Sequence, residues 1–290
     1  MKNFYLIEVF IMILYFLTLF LIRKERYKVK ILSLATIFAI IFENFNIYLS
    51  RNDVGGYFYN TNFIFYVFDT PLFVILSWGL IILSAMMITD KLNIKNKYKA
   101  FIDAVLVLSI DLSVDAVAIR EKLWFWNDYR LTEGFFGVPA NNFIGWLLVA
   151  FVFCYIFRYL QEKKIKNELV HYAMPIISYV IFLFLFYFIY FIERIFRLTK
   201  FTELYLVLGL IVLFIIVGTL GSEKRKTKKE KNYLIHLIRI PFHSYAFYGL
   251  ITMKITNEWI LWITAIVVLG IDIVLMLRKT NKKSYKQIIR

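Results

Sequence analysis

Residues 1–30 read MKNFYLIEVFIMILYFLTLFLIRKERYKVK. One lysine precedes a long apolar block, and a dense basic run follows at once. A helix of about 20 mostly apolar residues crosses the hydrocarbon core of a bilayer. The block 4–22 has that length. No small-residue cleavage site precedes the basic run, so the block reads as a retained first helix rather than a removed signal peptide.

The same pairing of apolar block and polar loop recurs down the chain. Helices are predicted near 4–22, 31–49, 71–89, 101–119, 143–160, 173–192, 203–220, 233–253 and 259–277. The eighth block is the least regular, because it holds His236, Arg239, Pro241 and His243. Hydrophobic residues make up 61% of the 290, with a mean hydropathy of +0.68. A soluble domain of this size is about half apolar. The expected fold is all-α, a polytopic transmembrane bundle of about nine helices, or eight if the eighth block lies in the interface. Residues 1–290 read as one integral membrane domain, without an internal repeat, a soluble domain or a low-complexity linker.

The net charge of +15 follows the same organisation. The loops after the first, third, fifth and seventh blocks, with the C-terminal tail, hold 25 Lys and Arg; the opposite side holds 9. Arg239 sits within the eighth block. The positive-inside rule then places the N-terminus outside and the C-terminus in the cytoplasm of a multi-pass cell-membrane protein. Basic residues segregated by loop point to a lipid bilayer as partner, and not to nucleic acid. Cys154 is the only cysteine, which excludes an internal disulfide, a redox pair and a cysteine zinc site. His236, Arg239 and His243 share a helix face, read as interfacial rather than as a ligand set; no metal site is expected.

With this topology, costly polar groups converge at one level. The second helix ends outward at Glu43, Asn44 and Asn46, and the third begins beside Asp69. The fourth carries Asp111 and Asp115 in its outer half; the fifth opens with Asn141 and Asn142; the sixth ends with Glu193, Arg194 and Arg197. Asp103 and Asp272, toward the other side, look scattered. A lipid-facing carboxylate costs about 2.5–3.5 kcal/mol, so the outer groups should face a shared cavity. Asp111 and Asp115 are four apart and lie on one helix face. Two carboxylates in a low dielectric repel, so one keeps its proton near neutral pH and the two form an acid/base pair. Otherwise they pair with Arg120 or cap backbone. Glu43 is a further candidate acid, or else a hydrogen-bond partner for a residue such as Asn142. Glu193 and Arg197 read as a structural i,i+4 pair.

Aromatic residues number 30 Phe, 20 Tyr and 6 Trp. Trp124, Trp126, Phe135, Phe136 and Trp146 gather near the acids. They read either as an interfacial belt or as a slot for a long flat apolar ligand whose carbocation the ring faces stabilise. The stretch 55–71, GGYFYNTNFIFYVFDTP, suggests a Gly55-Gly56 turn and an aromatic run 57–68 along the outer interface. Asp69 or Thr70 would then cap a helix with Pro71 in its first turn.

The stretch 111–146, DLSVDAVAIREKLWFWNDYRLTEGFFGVPANNFIGW, resembles the carotenoid-biosynthesis membrane protein family that includes carotenoid 1,2-hydratases and bisanhydrobacterioruberin hydratase. Its pattern is LD..LDP, then FW.W, then G.YYGVP..NF.GW. The matches are Asp111, Asp115, Trp124, Trp126, Gly134, Gly137, Val138, Pro139, Asn142, Phe143, Gly145 and Trp146; Glu43, the Gly-Tyr-Phe-Tyr run and Trp78 are also similar. The likeness spans roughly 40–150. Ala116 stands where that family has Pro, and Phe135-Phe136 where it has Tyr-Tyr.

The resemblance implies addition of water across a terminal double bond of a carotenoid or related long apolar isoprenoid, giving a tertiary alcohol. It needs no cofactor. Convergence and resemblance together make Asp111, Asp115 and Glu43 the candidate catalytic acids. Asp69, Trp124, Trp126, Phe136, Asn141, Asn142 and Trp146 are the candidate substrate contacts. The competing reading is a transporter or lipid-binding membrane protein that uses the buried acids as a proton relay. The absence of a sequence repeat speaks against it.

Overall fold

The computed structural model describes residues 4–200, 202–223 and 233–277. Lys2 and the basic runs 224–231 and 278–290, counted above for sidedness, lie outside the described residues. Nine helices occur among the described residues: α1 Phe4–Ile22, α2 Arg26–Ser50, α3 Leu72–Thr89, α4 Asn96–Arg120, α5 Ala140–Glu162, α6 Glu168–Ile195, α7 Thr202–Leu220, α8 Tyr233–Thr252 and α9 Trp259–Leu277. Several outrun the predicted spans, α2 by five residues and α4 by five at their starts. Hydropathy marks only the part at membrane depth. The helices continue into basic turns, where Lys and Arg lay their stems along apolar surface.

Seven of the nine are long and apolar enough to cross a membrane; α4 and α8 are not. Both are packed inside the bundle. α4 touches α3, α5, α7, α8 and α9, and α8 packs against α3, α4 and α9. The eighth block is therefore a bundle helix and not an interfacial one. α3 is buried along nearly its whole length. The outer helices present apolar side chains such as Ile13, Phe184, Val212 and Ile266, all more than half exposed, as lipid-facing surfaces require. The chain is a multi-pass membrane protein.

Loops assigned to one side by charge meet at one end. Arg120 at the end of α4 pairs with Glu258 in the α8–α9 loop at 2.7 Å. At the opposite end Lys30 pairs with Glu168 at 3.0 Å, and Ile94 bridges Ser222. The acids Asp111 and Asp115 belong to the first of these ends, called the acid end below.

The segment 57–71 folds into short strands. Strand β1 (Tyr57–Tyr59) pairs antiparallel with β4 (Trp124–Trp126), with Tyr57 opposite Trp126 and Tyr59 opposite Trp124. Strands β2 (Tyr66–Val67) and β3 (Thr70–Pro71) close a small hairpin, so neither Asp69 nor Thr70 caps α3; its cap position is Pro71, which makes no side-chain cap bond. Glu8 of α1, an acid the sequence does not single out, accepts from the backbone N–H of Ile64 and Phe65 at 2.9–3.1 Å. It ties this loop to the bundle.

Two buried ion-pair clusters replace the scattered acids expected away from the acid end. Arg158 reaches Asp103 at 2.6 Å and Asp90 at 2.8 Å, and Lys99 adds a second cation to Asp90 at 3.2 Å. Burial alone would raise the Asp90 pKa, but Arg158 and Lys99 hold it down to about 2. Arg239, fully buried, pairs with Asp272, which His243 Nε2 also meets at 2.6 Å. Arg239 further donates to the Leu106 carbonyl at 2.9 Å. Arg239 and His243 thus share the Asp272 carboxylate inside the bundle, where a buried charge must be paired.

Candidate active site

Asp111 and Asp115 lie one turn apart on α4, at 0% and 3% exposure. The amide nitrogen of Asn142 donates to Asp111 Oδ2 at 2.9 Å and to Asp115 Oδ2 at 2.6 Å. Two carboxyl groups therefore converge on one donor. Arg120 is not their partner: its guanidinium donates to the carbonyls of Ala116 and Phe136, each at 2.8 Å, and to Glu258. Among the described residues, Asp111 Oδ1 is buried without a hydrogen-bond partner.

The α4–α5 connection sets Asn142 in place. Gly134 and Gly137 adopt φ +56° and +91°, and a Cβ on Gly134 would lie 2.3 Å from the Val138 carbonyl. Only glycine takes such positions at low cost. The tight turn Phe135–Val138 is pinned by Arg120, and Pro139 then starts α5 in extended geometry, three residues before Asn142.

Glu43 is buried and takes three donors. Tyr57 and Tyr59 donate to Oε2 at 2.7 and 2.9 Å, and Trp78 Nε1 donates to Oε1 at 2.6 Å. Its partners are thus the β1 strand and α3, and not Asn142. The two tyrosines have phenol pKa values pushed well above the usual value, first by burial and then by the Glu43 charge, so they remain O–H donors. Period-two alternation puts both hydroxyls on one face of β1. That YFY alternation, mirrored by WFW at 124–126, and the likeness of the Gly-Tyr-Phe-Tyr run to the family pattern are the signals in the sequence that point to them.

A cavity of about 1140 Å³ joins these groups. It exceeds the range of about 300–1,000 Å³ that drug-sized ligands occupy, so it suits a long ligand. Glu43, Asp115, Trp124, Trp126, Asn141, Asn142 and Trp146 all line it. Trp146 stacks on Trp78 with ring centroids 3.9 Å apart, and Trp126 Nε1 is buried without a partner among the described residues. Asp111 sits behind Asp115, off the lining. Two predicted contacts lie elsewhere. Asp69 is exposed in the β2–β3 hairpin, where its N–H donates to Asn44 at 2.9 Å. Phe136 is in the tight turn, at φ +54° and edge-on to Phe135. Glu193 meets Asn141 rather than Arg197: the Asn141 amide, turned to present its nitrogen, donates to the carboxylate at 3.1 and 3.2 Å. Among the described residues no cluster of three His, Cys, Asp or Glu has the form of a metal site.

Gly56 holds β1 against α2. A Cβ there would stand 1.9 Å from the Ser50 carbonyl. Gly56→Ala should shift the strand and loosen both tyrosines from Glu43. The expected loss is about 1–3 kcal/mol, read as a lower thermal midpoint in detergent. An unchanged midpoint would contradict this packing.

Fold and site together define a polytopic membrane protein with a buried acid pair in a large, mostly apolar cavity. The chain belongs to the carotenoid biosynthesis protein family, whose model matches residues 2–215. The match extends beyond the stretch 40–150 that carries the motifs. No curated protein and no solved structure matches the chain.

Proposed function

We propose that this protein is a membrane hydratase that adds water to a terminal C=C bond of a carotenoid or related linear isoprenoid. The observation that carries the reading is the Asp111–Asp115 pair on a single Asn142 donor, with no cation in ion-pair contact among the described residues, at the wall of an apolar cavity. Such a pair is stable in a low dielectric when it keeps one proton between its two carboxyls. Asp115, on the lining, gives that proton to the CH carbon of the terminal alkene. The π pair becomes the new C–H bond and leaves a tertiary cation at the dimethyl carbon. The faces of Trp124, Trp126 and Trp146 and the carboxylate of Glu43 stabilise the cation. Water forms the C–O bond, and its proton returns to Asp115. One water is consumed, and the acid pair is restored. The Trp126 N–H, without a partner among the described residues, would hold the water or the product hydroxyl.

Expression in a host that makes a linear polyene with isopropylidene ends tests the reading. A tertiary alcohol heavier by one water is expected. Cyclisation or isomerisation would leave the mass unchanged, and no new product beside folded protein would sink the proposal. Glu43→Gln keeps the shape but removes the charge that faces the cation. Product formation should fall about 10²–10³-fold, the effect of losing one preorganised electrostatic contact. Tyr57→Phe should cost less, about tenfold, since Tyr59 and Trp78 still hold the carboxylate.

A further inference from the structure

The cavity has two rims of opposite character. Along α1, Leu6, Phe10 and Ile13 line it while standing 57%, 51% and 60% exposed, so this rim opens on the apolar, lipid-facing exterior. The other rim lies at the acid end, where Lys200 and Glu203 line the wall. Lys200 is fixed there by Glu133 at 3.0 Å and by the ring of Tyr129 at 4.3 Å. Just inside stands Glu193, lining the cavity at 4% exposure. Among the described residues its carboxylate meets no cation within ion-pair distance; its partner is the Asn141 amide. The next residue, Asn142, holds the acid pair. A row of polar side chains therefore leads from the charged rim past Glu193 and Asn141 to Asp115. A buried, unpaired carboxylate in a cavity wall calls for water.

We propose that Glu193 and Asn141 form a water port: water reaches Asp115 from the acid end past Glu193, while the apolar substrate enters from the lipid past α1. This rests on the hydration reading above. Glu193 is a positioning residue, because it delivers water and does not touch the alkene. Without water the cation returns to an alkene by losing a proton. A C–H bond on one of its methyl groups breaks, its pair forms C=C, and the proton goes to Asp115. The product is a shifted alkene of unchanged mass, and this step draws nothing from solvent.

Glu193→Leu should therefore lower hydration about ten- to hundredfold, the loss of a hydrogen bond to a charged group, while formation of the shifted alkene persists. Asn141→Leu should move the same ratio if Glu193→Leu fails to fold. A merely structural role would lower both rates together, and that result, or hydration at the unaltered rate, overturns the proposal. Labelling gives a readout apart from activity. In a Cys154→Ala background, which removes the only cysteine, a membrane-impermeant maleimide added to proteoliposomes should modify Glu193→Cys. Thiols react as thiolates, which form in water, so the same reagent should leave Phe10→Cys unmodified. An unreactive Glu193→Cys overturns the port. If the pattern holds but the unaltered protein hydrates no polyene, the port stands and the hydration reading falls.

Discussion

On the proposed hydratase reading, Asp115→Asn should yield a folded protein whose hydration rate is lower by about 10²–10⁴-fold, the usual contribution of a positioned general acid. The substitution is nearly isosteric. An amide at this position still meets Asn142, at 2.6 Å from the present carboxyl oxygen, once the two amides orient to match. It has no acidic proton to give, so the step that makes the cation is lost while the packing is kept. Asp111→Asn acts one step removed. Asp111 lies behind the lining and shares the same donor at 2.9 Å, so its loss alters how the pair holds its proton rather than the contact with the alkene. Its rate should fall less than that of Asp115→Asn. Product mass and yield in the polyene-producing host measure both, with thermal unfolding in detergent as the check on folding. Rates within a few-fold of the unaltered protein for Asp115→Asn would remove that residue from the chemistry.

The second large effect is on stability and lies at the other end of the bundle. Arg158→Met removes the guanidinium that reaches Asp103 at 2.6 Å and Asp90 at 2.8 Å. Asp103 is fully buried and would be left without a cation among the described residues, keeping the Thr89 hydroxyl; Asp90 would keep Lys99. Removing one partner of a buried ion pair costs about 3–5 kcal/mol, because the remaining charge has neither water nor a counter-ion. A domain's whole stability is about 5–15 kcal/mol. Little folded protein should accumulate, and what does should melt well below the unaltered chain. Combining Arg158→Met with Asp103→Leu removes the stranded charge along with its partner, and should recover much of the loss. An Arg158→Met midpoint close to the original would show that the cluster is screened by solvent and not buried.

The acid pair was legible because its message is local. Asp111 and Asp115 share a face through helix periodicity alone, and the price of a carboxylate at membrane depth argues that they meet a cavity. The donors around Glu43 were not legible in that way. Tyr57, Tyr59 and Trp78 come from a three-residue strand and from another helix, and β1 finds β4 across more than sixty residues of chain. Aromatic residues at that depth read equally well as an interfacial belt. Asp69 and Phe136 misled for a related reason. Each is close in sequence to a true lining element, but a hairpin turn and a left-handed residue at the tight turn point them elsewhere. Arg239 and His243 looked like an interfacial face because their partner, Asp272, lies on the next helix.

By itself the sequence determined the helix count, which loops share an end, and the presence of two costly acids on one face. A bilayer acts as a solvent on each segment in turn, so apolar length and loop charge are read without knowing what packs on what. Only the tertiary structure decided which polar atoms meet. Asn142 bridging the acid pair, Glu43 under its three donors, Glu193 at the cavity rim and the paired charges of α4 and α8 depend on helix rotation and loop pairing, set by packing among residues far apart in the chain.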